Sequence, residues 1–514
     1  MSSVSPDTSQ DAVVPNPGGE SSEPRITVIG AGPGGLTAAY ELARQGVRCT
    51  VFESGSKPGG LARTEVYKGY RFDIGGHRFY SKVGLVEKLW KDWLGDDLLE
   101  RPRLSRIYYR GTFFKYPLEP WDALRGLGLG TAITCLASYL FAQIHPVRPE
   151  RTFDAWVSNR FGRRLFKIFF ESYTEKVWGV PCSQIDAEWA AQRIRGLNVI
   201  SLLKHMLMPG PRSGGKVVKT LIGSFRYPRL GPGMMWERCA DKVRECGSQI
   251  FYQSRVQRIL WEPGRVTAVD TGNGPATLSH LISTMAIRDL ASALDPPPPP
   301  SVAQAAARLR YRDFITVVLV LDAPEVFPDN WIYVHDQRVK VGRIQNYKNW
   351  SPEMVPDSSH TCLGLEYFCQ EDDGLWSSAD AELIKLASRE LQSLGIASSE
   401  KVIDGTVVRA PKAYPVYDST YREALQEIRN FLGQLSNLQL VGRNGMHRYN
   451  NQDHSMLTGL LAARNAMGGS YDLWKINAEA DYLEEGFTRE ELAELEASQP
   501  RVPQPAKQNV AGAL

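Results

Sequence analysis

A glycine-rich loop near the N-terminus constrains the fold more strongly than any other feature of this chain of 514 residues. An apolar segment at residues 25–29 leads into the loop at residues 30–35, and a helical pattern follows at residues 36–44. A second apolar segment, residues 49–53, ends in an acid. This order of strand, glycine loop, helix, strand and acid predicts a parallel α/β sheet of Rossmann type that binds a dinucleotide.

Each glycine of the loop has its own expected role. Gly30 allows the tight turn after the strand, Gly32 lets the backbone approach a pyrophosphate, and Gly35 lets the helix pack on the strand. Gly34 belongs to the same loop, and we expect it to contact the cofactor as well. Glu53 lies 18 residues beyond Gly35, where a carboxylate can accept the hydroxyls of an adenosine ribose.

Two further glycine pairs indicate which dinucleotide is bound. One pair opens residues 59–64, only a few positions after Glu53. A glycine pair so soon after the acid suits a long cofactor that continues past its pyrophosphate, so we predict FAD rather than NAD. The other pair precedes His77 and adds a close backbone approach, which we expect beside the flavin.

A polar loop near the C-terminus, residues 442–454, is the second candidate site. It follows a strand-like segment at residues 438–441 and precedes a helical pattern of small residues at 457–466. A strand, loop and helix of this kind close the second half of many flavin-binding domains, where amides at the helix end meet the isoalloxazine ring. The loop is rich in Arg, Tyr and Asn, which a plain connection does not need.

The bulk composition excludes some partners. A net charge of +3 with 23% charged residues gives no reason to expect a nucleic-acid partner. The seven cysteines form no Cys-x-x-Cys pair, which is typical of reduced thiols in a cytoplasmic protein. Residues 1–24 are rich in Ser, Pro and Gly and lack the basic and apolar regions of a signal peptide, so we expect a disordered tail.

The remaining patterns predict an α/β protein in which a Rossmann-like FAD-binding domain carries an inserted helical domain and an antiparallel-sheet substrate domain. Residues 107–114 read as a hairpin, and helical patterns dominate residues 121–207. The predicted parts are a disordered tail (1–24), a discontinuous FAD-binding domain (25–105, 225–295 and 435–468), a largely helical substrate or lid domain (106–224), an antiparallel-sheet substrate domain (301–434), and an acidic helix with a disordered tail (469–514).

Residues 126–144 contain no charged residue over 19 positions. The segment also holds Gly, Thr, Ser and Gln, so its mean hydropathy is modest for a membrane-spanning helix. We expect a buried helix or a lid helix of the substrate domain, and contact with a membrane is the alternative interpretation.

Residues 25–468 resemble the group that contains protoporphyrinogen oxidases, flavin amine oxidases and UDP-galactopyranose mutases. The shared motifs are the glycine loop, the segment ending at His77 and the C-terminal loop, in the same order. Within the group, four further segments are similar to the mutases. They are residues 169–179, the segment from Arg343 through Lys348 to residues 351–352, residues 414–415, and residues 442–453.

The resemblance implies a nucleotide-sugar substrate and a set of contacts to it. The implied substrate contacts are Phe169, Phe170 and Tyr173 for the base, Trp178 for the sugar, Arg343, Tyr414 and Tyr449 for the diphosphate, and Arg193 on a mobile lid. The predicted catalytic residues are His77, Arg343, Tyr414 and Tyr449. The predicted cofactor contacts are Gly30, Gly32, Gly34, Gly35, Glu53, Gly60, Leu61, Ala62, Arg63, Gly76, His77, Val256, Arg443, Asp453, Ser455 and Met456. An arginine fork with hydroxyl donors suits a diphosphate.

Each substrate residue also has a structural interpretation. Phe169 and Phe170 are of a type found in cores, and Tyr414 before proline could pack in a loop. Arg343 could pair with a nearby acid such as Glu366, and His77 could be a hydrogen-bonded structural histidine.

The pattern departs from the mutases at three places. Gln192 stands where the lid arginine is expected, Tyr80 replaces a second histidine, and Asn451 replaces a loop acid.

Three functions are compatible with these residues. The first is a mutase-like isomerase that interconverts pyranose and furanose forms, in which N5 of reduced flavin attacks the anomeric carbon and displaces the nucleotide diphosphate. The second is an FAD-dependent oxidase or desaturase of the protoporphyrinogen oxidase or amine oxidase type. The third is a flavin-binding protein of a glycan assembly complex without turnover. The expected partners are a nucleotide sugar, an unidentified reductant and a second copy in a homodimer.

Overall fold

The computed structural model describes residues 25–81, 83–116, 118–187 and 223–476. Labels run in chain order. The strands are β1 (Ile26–Ile29), β2 (Cys49–Phe52), β3 (Thr64–Tyr67), β4 (Tyr70–Asp73), β5 (Leu98–Pro102), β6 (Ser105–Tyr109), β7 (Thr112–Lys115), β8 (Ser224–Pro228), β9 (Gln249–Phe251), β10 (Arg258–Glu262), β11 (Arg265–Asp270), β12 (Pro275–Thr277), β13 (His280–Ser283), β14 (Leu294–Asp295), β15 (Tyr311–Leu321), β16 (Trp331–Val334), β17 (Arg343–Asn346), β18 (Thr361–Cys369), β19 (Val402–Pro415) and β20 (Leu438–Leu440).

The helices are α1 (Pro33–Arg44), α2 (Gly84–Leu94), α3 (Pro120–Leu127), α4 (Leu129–Ile144), α5 (Phe153–Phe161), α6 (Arg163–Phe166), α7 (Ser172–Trp178), α8 (Pro232–Glu245), α9 (Ile287–Ala293), α10 (Pro300–Arg308), α11 (Tyr347–Trp350), α12 (Asp380–Ser393), α13 (Tyr421–Leu432), α14 (Gly442–Gly445) and α15 (Gln452–Ala466). A π-helical turn, Lys167–Glu171, joins α6 to α7.

Five parallel strands form the first sheet, in the order β20-β13-β1-β2-β9. Helix α1 packs against α8 and α15, and all four residues of β1 are buried. Because all strands point the same way, their carboxyl ends meet at one edge, where ligands bind in open α/β sheets. The predicted α/β fold with a Rossmann-like unit is confirmed.

Seven strands form the second sheet, in the order β19-β15-β18-β17-β16-β6-β7. Neighbouring strands are antiparallel except β16 and β6, which are parallel. The predicted hairpin forms as β6 and β7, but it extends this sheet instead of belonging to the helical part predicted at residues 106–224. Pairing with β6 satisfies the backbone of β16, which otherwise leaves an open edge.

Helices α3 to α7 form a lobe beside the second sheet, as predicted for the first part of residues 121–207. The rest of that prediction, residues 188–207, lies outside the described residues. The predicted tail at residues 1–24 also lies outside them, as do residues 477–514 of the acidic helix and tail predicted for 469–514.

For residues 126–144 we predicted a buried helix or a lid helix, and α4 is not buried on all sides. Its inner side, at Cys135, Tyr139 and Ala142, is buried against the lobe. Its outer side carries large apolar residues that are exposed, including Leu129 at 71% and Ile144 at 73%. A segment without charges suggests burial on every side, but only three of the 16 residues of α4 are buried.

No single helix of the described chain has the length and apolar composition needed to cross a bilayer. Helices α3 and α4, bent by 119° at their junction, satisfy both criteria only as a pair.

A buried carboxyl at the end of β4 connects the smaller elements to the second sheet. Asp73 accepts hydrogen bonds from the hydroxyls of Tyr227 and Thr64, and its carbonyl accepts one from Tyr347 at 3.0 Å. Burial raises the pKa of Asp73 to about 7, because the loss of solvent outweighs those two hydrogen bonds. Asp73 is therefore protonated in the folded protein at pH values where the unfolded chain has lost the proton.

We expect the stability of the protein to fall as pH rises from about 4, the unfolded value, through 7, because only the unfolded state gives up this proton in that window. The full effect is on the order of 4 kcal/mol, from a shift of about three pKa units. Asp73→Asn should remove this pH dependence. The melting temperature of the variant, relative to that of wild type, should therefore rise with pH. Calorimetry at pH 5 and pH 8 measures the difference, with Asp372→Asn on the surface as control. An equal difference in melting temperature between variant and wild type at both pH values would contradict the raised pKa of Asp73.

Candidate functional site

A cavity of about 600 Å³ lies between the carboxyl edge of the parallel sheet and the face of the seven-stranded sheet. It contains most of the residues that the sequence predicted. The predicted residues that line it are Gly30, Gly32, Gly34, Glu53, Gly60, Leu61, Ala62, Arg63, Gly76, His77, Val256, Arg343, Tyr414, Arg443, Tyr449, Asp453 and Ser455. Gly35 and Met456 lie behind the wall, where Met456 Sδ accepts a hydrogen bond from Trp90 at 3.2 Å.

The glycines of the first loop are required for three different physical reasons. Gly30 has φ +95°, and a Cβ there would lie 2.0 Å from Thr284 Oγ1. A Cβ on Gly35 would lie 1.9 Å from the Gly30 carbonyl oxygen, so this glycine lets α1 approach β1. A Cβ on Gly32 would instead meet only Gly60 Cα, at 3.8 Å. Gly32 and Gly60 thus leave a space without side chains that opens into the cavity, which we call the glycine cradle.

Glu53 lies at the end of β2 and holds the loops around this cradle. One carboxylate oxygen accepts from the Ala31 amide at 2.6 Å, and the other accepts from the Gly55 amide at 2.7 Å. Each carboxylate oxygen can accept further bonds, so Glu53 can bind ribose hydroxyls while it stays anchored.

The C-terminal loop reaches the cavity from the opposite side. The Asn451 side chain and His454 form a capping box at the start of α15, a helix of 15 residues. The Arg443 guanidinium donates to the carbonyls of Asn450 at 2.9 Å and Ala413 at 3.0 Å. The helix start brings backbone amides and the positive end of its dipole to the cavity, as expected for a site that meets the polar edge of a ring.

Several buried polar atoms of the cavity wall have no hydrogen-bond partner among the described residues. They are His77 Nδ1, Gln345 Oε1, Asn444 Oδ1 and Asn450 Oδ1. Because an unsatisfied buried polar atom costs about 1–3 kcal/mol, such atoms mark places for a polar ligand. With the open cradle and the anchored acid, they fit a long cofactor that is polar along its whole length.

His77 is neutral throughout the physiological pH range. Burial and the nearby cations of Arg443 and Arg343 lower the pKa of its imidazole to about 3. His77 can therefore donate or accept a hydrogen bond at the ring-binding end of the cavity, but it carries no charge there.

Arg343 belongs to a buried network on the second sheet. The register of β17 and β18 places it opposite Glu366, to which its Nε donates. Its Nη2 donates to the Tyr414 hydroxyl at 3.0 Å, and Glu366 also accepts from Gln345. The pairing with Glu366 that the sequence left open is therefore present. Arg343 nevertheless still faces the cavity.

Tyr414 and Tyr449 form a stacked pair, with ring centroids 5.4 Å apart at 12°. The Arg443 guanidinium lies 4.9 Å from the Tyr449 ring, and Trp178 packs on both tyrosines from the other side. Burial raises the pKa of Tyr414, so its phenol stays protonated. Since the Tyr414 oxygen already accepts from Arg343, its hydrogen is available for a ligand.

The cavity carries more positive charge than its ion pairs neutralise. Arg78, Arg255 and Arg443 line it without a carboxylate in ion-pairing distance among the described residues. Arg78 and Arg255 were not predicted from the sequence, although Arg78 directly follows His77. The lining as a whole carries six cations (Arg63, Arg78, Arg255, Arg343, Lys412 and Arg443) against four acids (Glu53, Asp289, Glu366 and Asp453), an excess that favours anionic ligands.

The predicted base-binding residues do not line the cavity. Phe169 is buried in a cluster with Phe114, at 5.2 Å and 84°, and Phe170 packs on Phe161. Tyr173 stacks on His335 at 4.9 Å. In this structure the two phenylalanines pack within the helical lobe, where hairpin β6–β7 supplies an apolar surface. Arg193 lies outside the described residues.

Gln345 and Glu366 complete the network, and the sequence did not predict either as a site residue. Glu366 was expected only as an ion-pair partner of Arg343, but it also accepts from Gln345, and both line the cavity. Arg343 and Gln345 alternate along β17 and so share a face, which the period of two could have revealed. Glu366 is an acid within an otherwise apolar strand, and a buried acid is a signal of a partner. Tyr80 and Asn451, which depart from the mutase pattern, also line the cavity.

The sequence matches the family model described as flavin containing amine oxidoreductase over residues 33–467. Hydroxyneurosporene desaturase of Rhodobacter capsulatus is 50% identical over 285 residues, which are 49% of this chain and 54% of the desaturase. Mitochondrial protoporphyrinogen oxidase of Nicotiana tabacum is 36% identical over 115 residues, 22% of this chain and 23% of that protein. The chain thus spans about half or less of the length of these curated relatives.

The crystal structure of reduced UDP-galactopyranose mutase is similar over nearly the whole chain. The alignment covers 90% of this chain and 98% of the mutase, with a TM-score of 0.75 and 21% identity. At this identity the likeness shows a common fold. The resemblance to the group of mutases and flavin oxidases, predicted from the motifs, is confirmed.

Proposed function

We propose a function from the premise that this chain belongs to the flavin containing amine oxidoreductase family. It is a flavin-dependent enzyme that uses FAD to isomerise the sugar of a nucleotide sugar between pyranose and furanose forms, in the manner of UDP-galactopyranose mutase. One observation carries the proposal: Arg343 donates to the Tyr414 hydroxyl, Arg443 lies 5.4 Å from the Tyr414 ring, and all three residues line the cavity. The cavity therefore offers a second anion site beside the one for the cofactor.

The second site has the chemistry of a diphosphate contact. A diphosphate takes charge-assisted hydrogen bonds from arginine and further bonds from hydroxyl groups. Arg343 offers its guanidinium edge, Tyr414 offers its hydroxyl hydrogen, and Arg443 adds a cation without a carboxylate partner among the described residues. Trp178, the predicted sugar contact, does not line the cavity but packs on both tyrosines within an apolar cluster, so it supports their positions from behind the wall. An apolar substrate would leave these groups without partners.

The residues that would hold FAD are the cradle at Gly32 and Gly60, the acid Glu53, and the start of α15. When bound and reduced, the cofactor supplies the nucleophile for displacement of a leaving group at the anomeric carbon. The protein supplies position: Arg343 and Tyr414 hold the diphosphate leaving group, and neutral His77 orients the reacting end by hydrogen bonding. The Arg343 side chain is only 18% exposed, so its contact with the leaving group forms in partly desolvated surroundings, which strengthens it.

A flavin oxidase or desaturase is the second candidate. The family itself and the similarity to hydroxyneurosporene desaturase favour it. An oxidase or desaturase transfers electrons from substrate to an acceptor in each turnover, whereas an isomerase has no net redox change.

Electron balance tests the proposal. Purified holoprotein, oxidised or reduced with dithionite under anaerobic conditions, is incubated with a panel of nucleoside diphosphate sugars. We expect isomerised sugar only from the reduced protein, without consumption of reductant beyond the initial reduction. Chromatography of the sugars and titration of the remaining reductant measure both quantities.

Two results would contradict the isomerase. Product that forms one for one with oxygen uptake or acceptor reduction would establish the second candidate. A flavin spectrum that no nucleotide sugar perturbs in either redox state would leave a flavin-binding protein without this substrate class.

A further inference from the structure

Eight of the twelve exposed large apolar side chains in the described part of the chain lie together in sequence on the helical lobe, outside the site. We call it the apolar ridge. It consists of Trp121 on α3, of Val147 after α4, and of Leu129, Ile133, Leu136, Leu140, Phe141 and Ile144 on α4. All of these side chains are at least half exposed, and all lie within 27 positions of the sequence. A patch this large and continuous marks an interaction surface in a folded protein.

The spacing along α4 places the ridge on one side of the helix. Residues 129, 133, 136, 140 and 144 follow each other at intervals of three and four, which put them on a common face. The opposite side is fixed to the protein at Cys135, where it joins the cluster of Phe114 and Phe169. The amphipathic pattern is therefore inverted relative to a surface helix of a protein in water, since the side away from the protein is the apolar one.

Basic residues surround the ridge. Arg125, Arg148, Arg151, Arg163 and Arg164 are exposed, and none has a carboxylate in ion-pairing distance among the described residues. The Arg164 backbone donates to Ser138 Oγ at 3.1 Å, which places the arginine pair of α6 beside the middle of α4.

Each of the four nearby acids has a partner: two form ion pairs, and two accept a hydrogen bond from a neutral donor. Glu119 pairs with Lys115 at 2.9 Å, and Glu150 pairs with Arg160 at 2.6 Å. Asp122 accepts from the Lys115 amide at 2.7 Å, and Asp154 accepts from the Thr152 hydroxyl at 2.6 Å. Asp122 and Asp154 keep their charges, because their donors are neutral. Five arginines without an acidic partner against these two acids leave the rim of the ridge positive, although the whole chain carries a net charge of only +3.

We propose that the apolar ridge is a membrane-docking surface that inserts into one leaflet of an anionic lipid bilayer. A helix with an apolar outer face and a cationic rim lies in the plane of the interface, with its apolar side chains among the acyl chains and its arginines at the headgroups. Trp121 at the edge suits the boundary between the two regions. No helix needs to cross the bilayer, consistent with the bend of 119° between α3 and α4.

The charge pattern favours a lipid surface over a second protein copy. A homodimer contact across this face would bring the two cationic rims together, because the same patch meets itself in a symmetric dimer. Anionic headgroups instead neutralise the arginines and place the leucines in hydrocarbon. The proposal is independent of the reaction that the cavity performs.

Flotation with lipid vesicles tests the surface. The purified holoprotein is mixed with vesicles of phosphatidylcholine and phosphatidylglycerol at 3:1, or of phosphatidylcholine alone, and the bound fraction is measured. We expect wild type to float with anionic vesicles. Leu136→Gln with Leu140→Gln should lower its partition coefficient at least about tenfold, since a buried leucine contributes about 1.5–3 kcal/mol and 1.4 kcal/mol is tenfold. Arg163→Glu with Arg164→Glu should weaken binding to anionic vesicles and leave the weak binding to neutral vesicles unchanged.

Ile403→Gln is the matched control, because Ile403 is exposed at 52% on β19, outside the ridge. It should float like wild type, and all variants should keep the flavin content and melting temperature of wild type. Failure of wild type to float, or equal flotation of the leucine variant, would overturn the proposal. So would a wild-type dimer in light scattering that the leucine variant converts to a monomer, because a second copy would then cover the ridge.

Discussion

Replacing Gly32 with valine is expected to give a folded protein that retains no flavin. The backbone at Gly32 is extended, with φ −81° and ψ −176°, which a valine adopts without strain. The first atom of the new side chain meets only Gly60 Cα at 3.8 Å, so the protein itself does not clash. The remaining methyl groups fill the cradle where the loop amides would approach the cofactor pyrophosphate. The substitution should therefore weaken cofactor binding without lowering the stability of the fold.

Two other glycines make this result specific. Gly374→Val, in an open surface loop, should change neither flavin content nor stability, because a Cβ there meets nothing within 4 Å. Gly35→Val should prevent folding, because its Cβ would lie 1.9 Å from the Gly30 carbonyl oxygen. Flavin absorbance per protein and circular dichroism melting separate the three cases. A Gly32→Val protein that stays fully yellow would show that the cradle does not hold the cofactor.

The cofactor half of the site could be predicted from sequence because its constraints are local. Gly30, Gly35 and Glu53 act within one strand-loop-helix-strand unit, so their spacing alone fixes their mutual positions. The structure adds only the contacts: Thr284 excludes a side chain at Gly30, and the Ala31 amide anchors Glu53.

The substrate half could be predicted only in part because its residues come from distant segments. Arg343 and Glu366 meet through the register of two strands, and sequence could name the pair only as one possibility. Phe169 faces a hairpin from another part of the chain, so its type alone could not place it at the cavity. The outer side of α4 is exposed for a similar reason. Sequence shows that a segment lacks charge, but only packing shows which side has no protein neighbour.

Removing the charge of Arg343 is expected to weaken binding of a nucleoside diphosphate by about 2–5 kcal/mol, the cost of leaving a buried charge of the ligand without its partner. The simple change to alanine would also leave Glu366 buried without its cation, which destabilises a protein by about 3–5 kcal/mol. The informative variant is therefore Arg343→Met with Glu366→Gln. It removes both charges together and keeps the hydrogen-bonding capacity at Gln345.

A second buried pair provides the matched control. Arg106 and Asp329 lie outside the cavity and have a similar burial: their side chains are 28% and 0% exposed, against 18% and 0% for Arg343 and Glu366. Arg106→Met with Asp329→Asn makes the same chemical change at this remote pair. Both double variants should fold and retain flavin, since a neutral buried pair costs little.

Calorimetric titration with UDP measures the difference between the two double variants. The Arg343 variant should bind at least about 30-fold more weakly than wild type, which corresponds to the lower end of the expected range. The Arg106 variant should bind like wild type. The single change Glu366→Gln leaves Arg343 without its anion and should lower stability, but the protein that remains folded should bind UDP more tightly, because the negative charge that partly neutralises Arg343 is gone. If UDP binds the Arg343 double variant and wild type equally, the arginine serves the fold through Glu366, and the cations left for an anionic substrate are Arg78, Arg255 and Arg443.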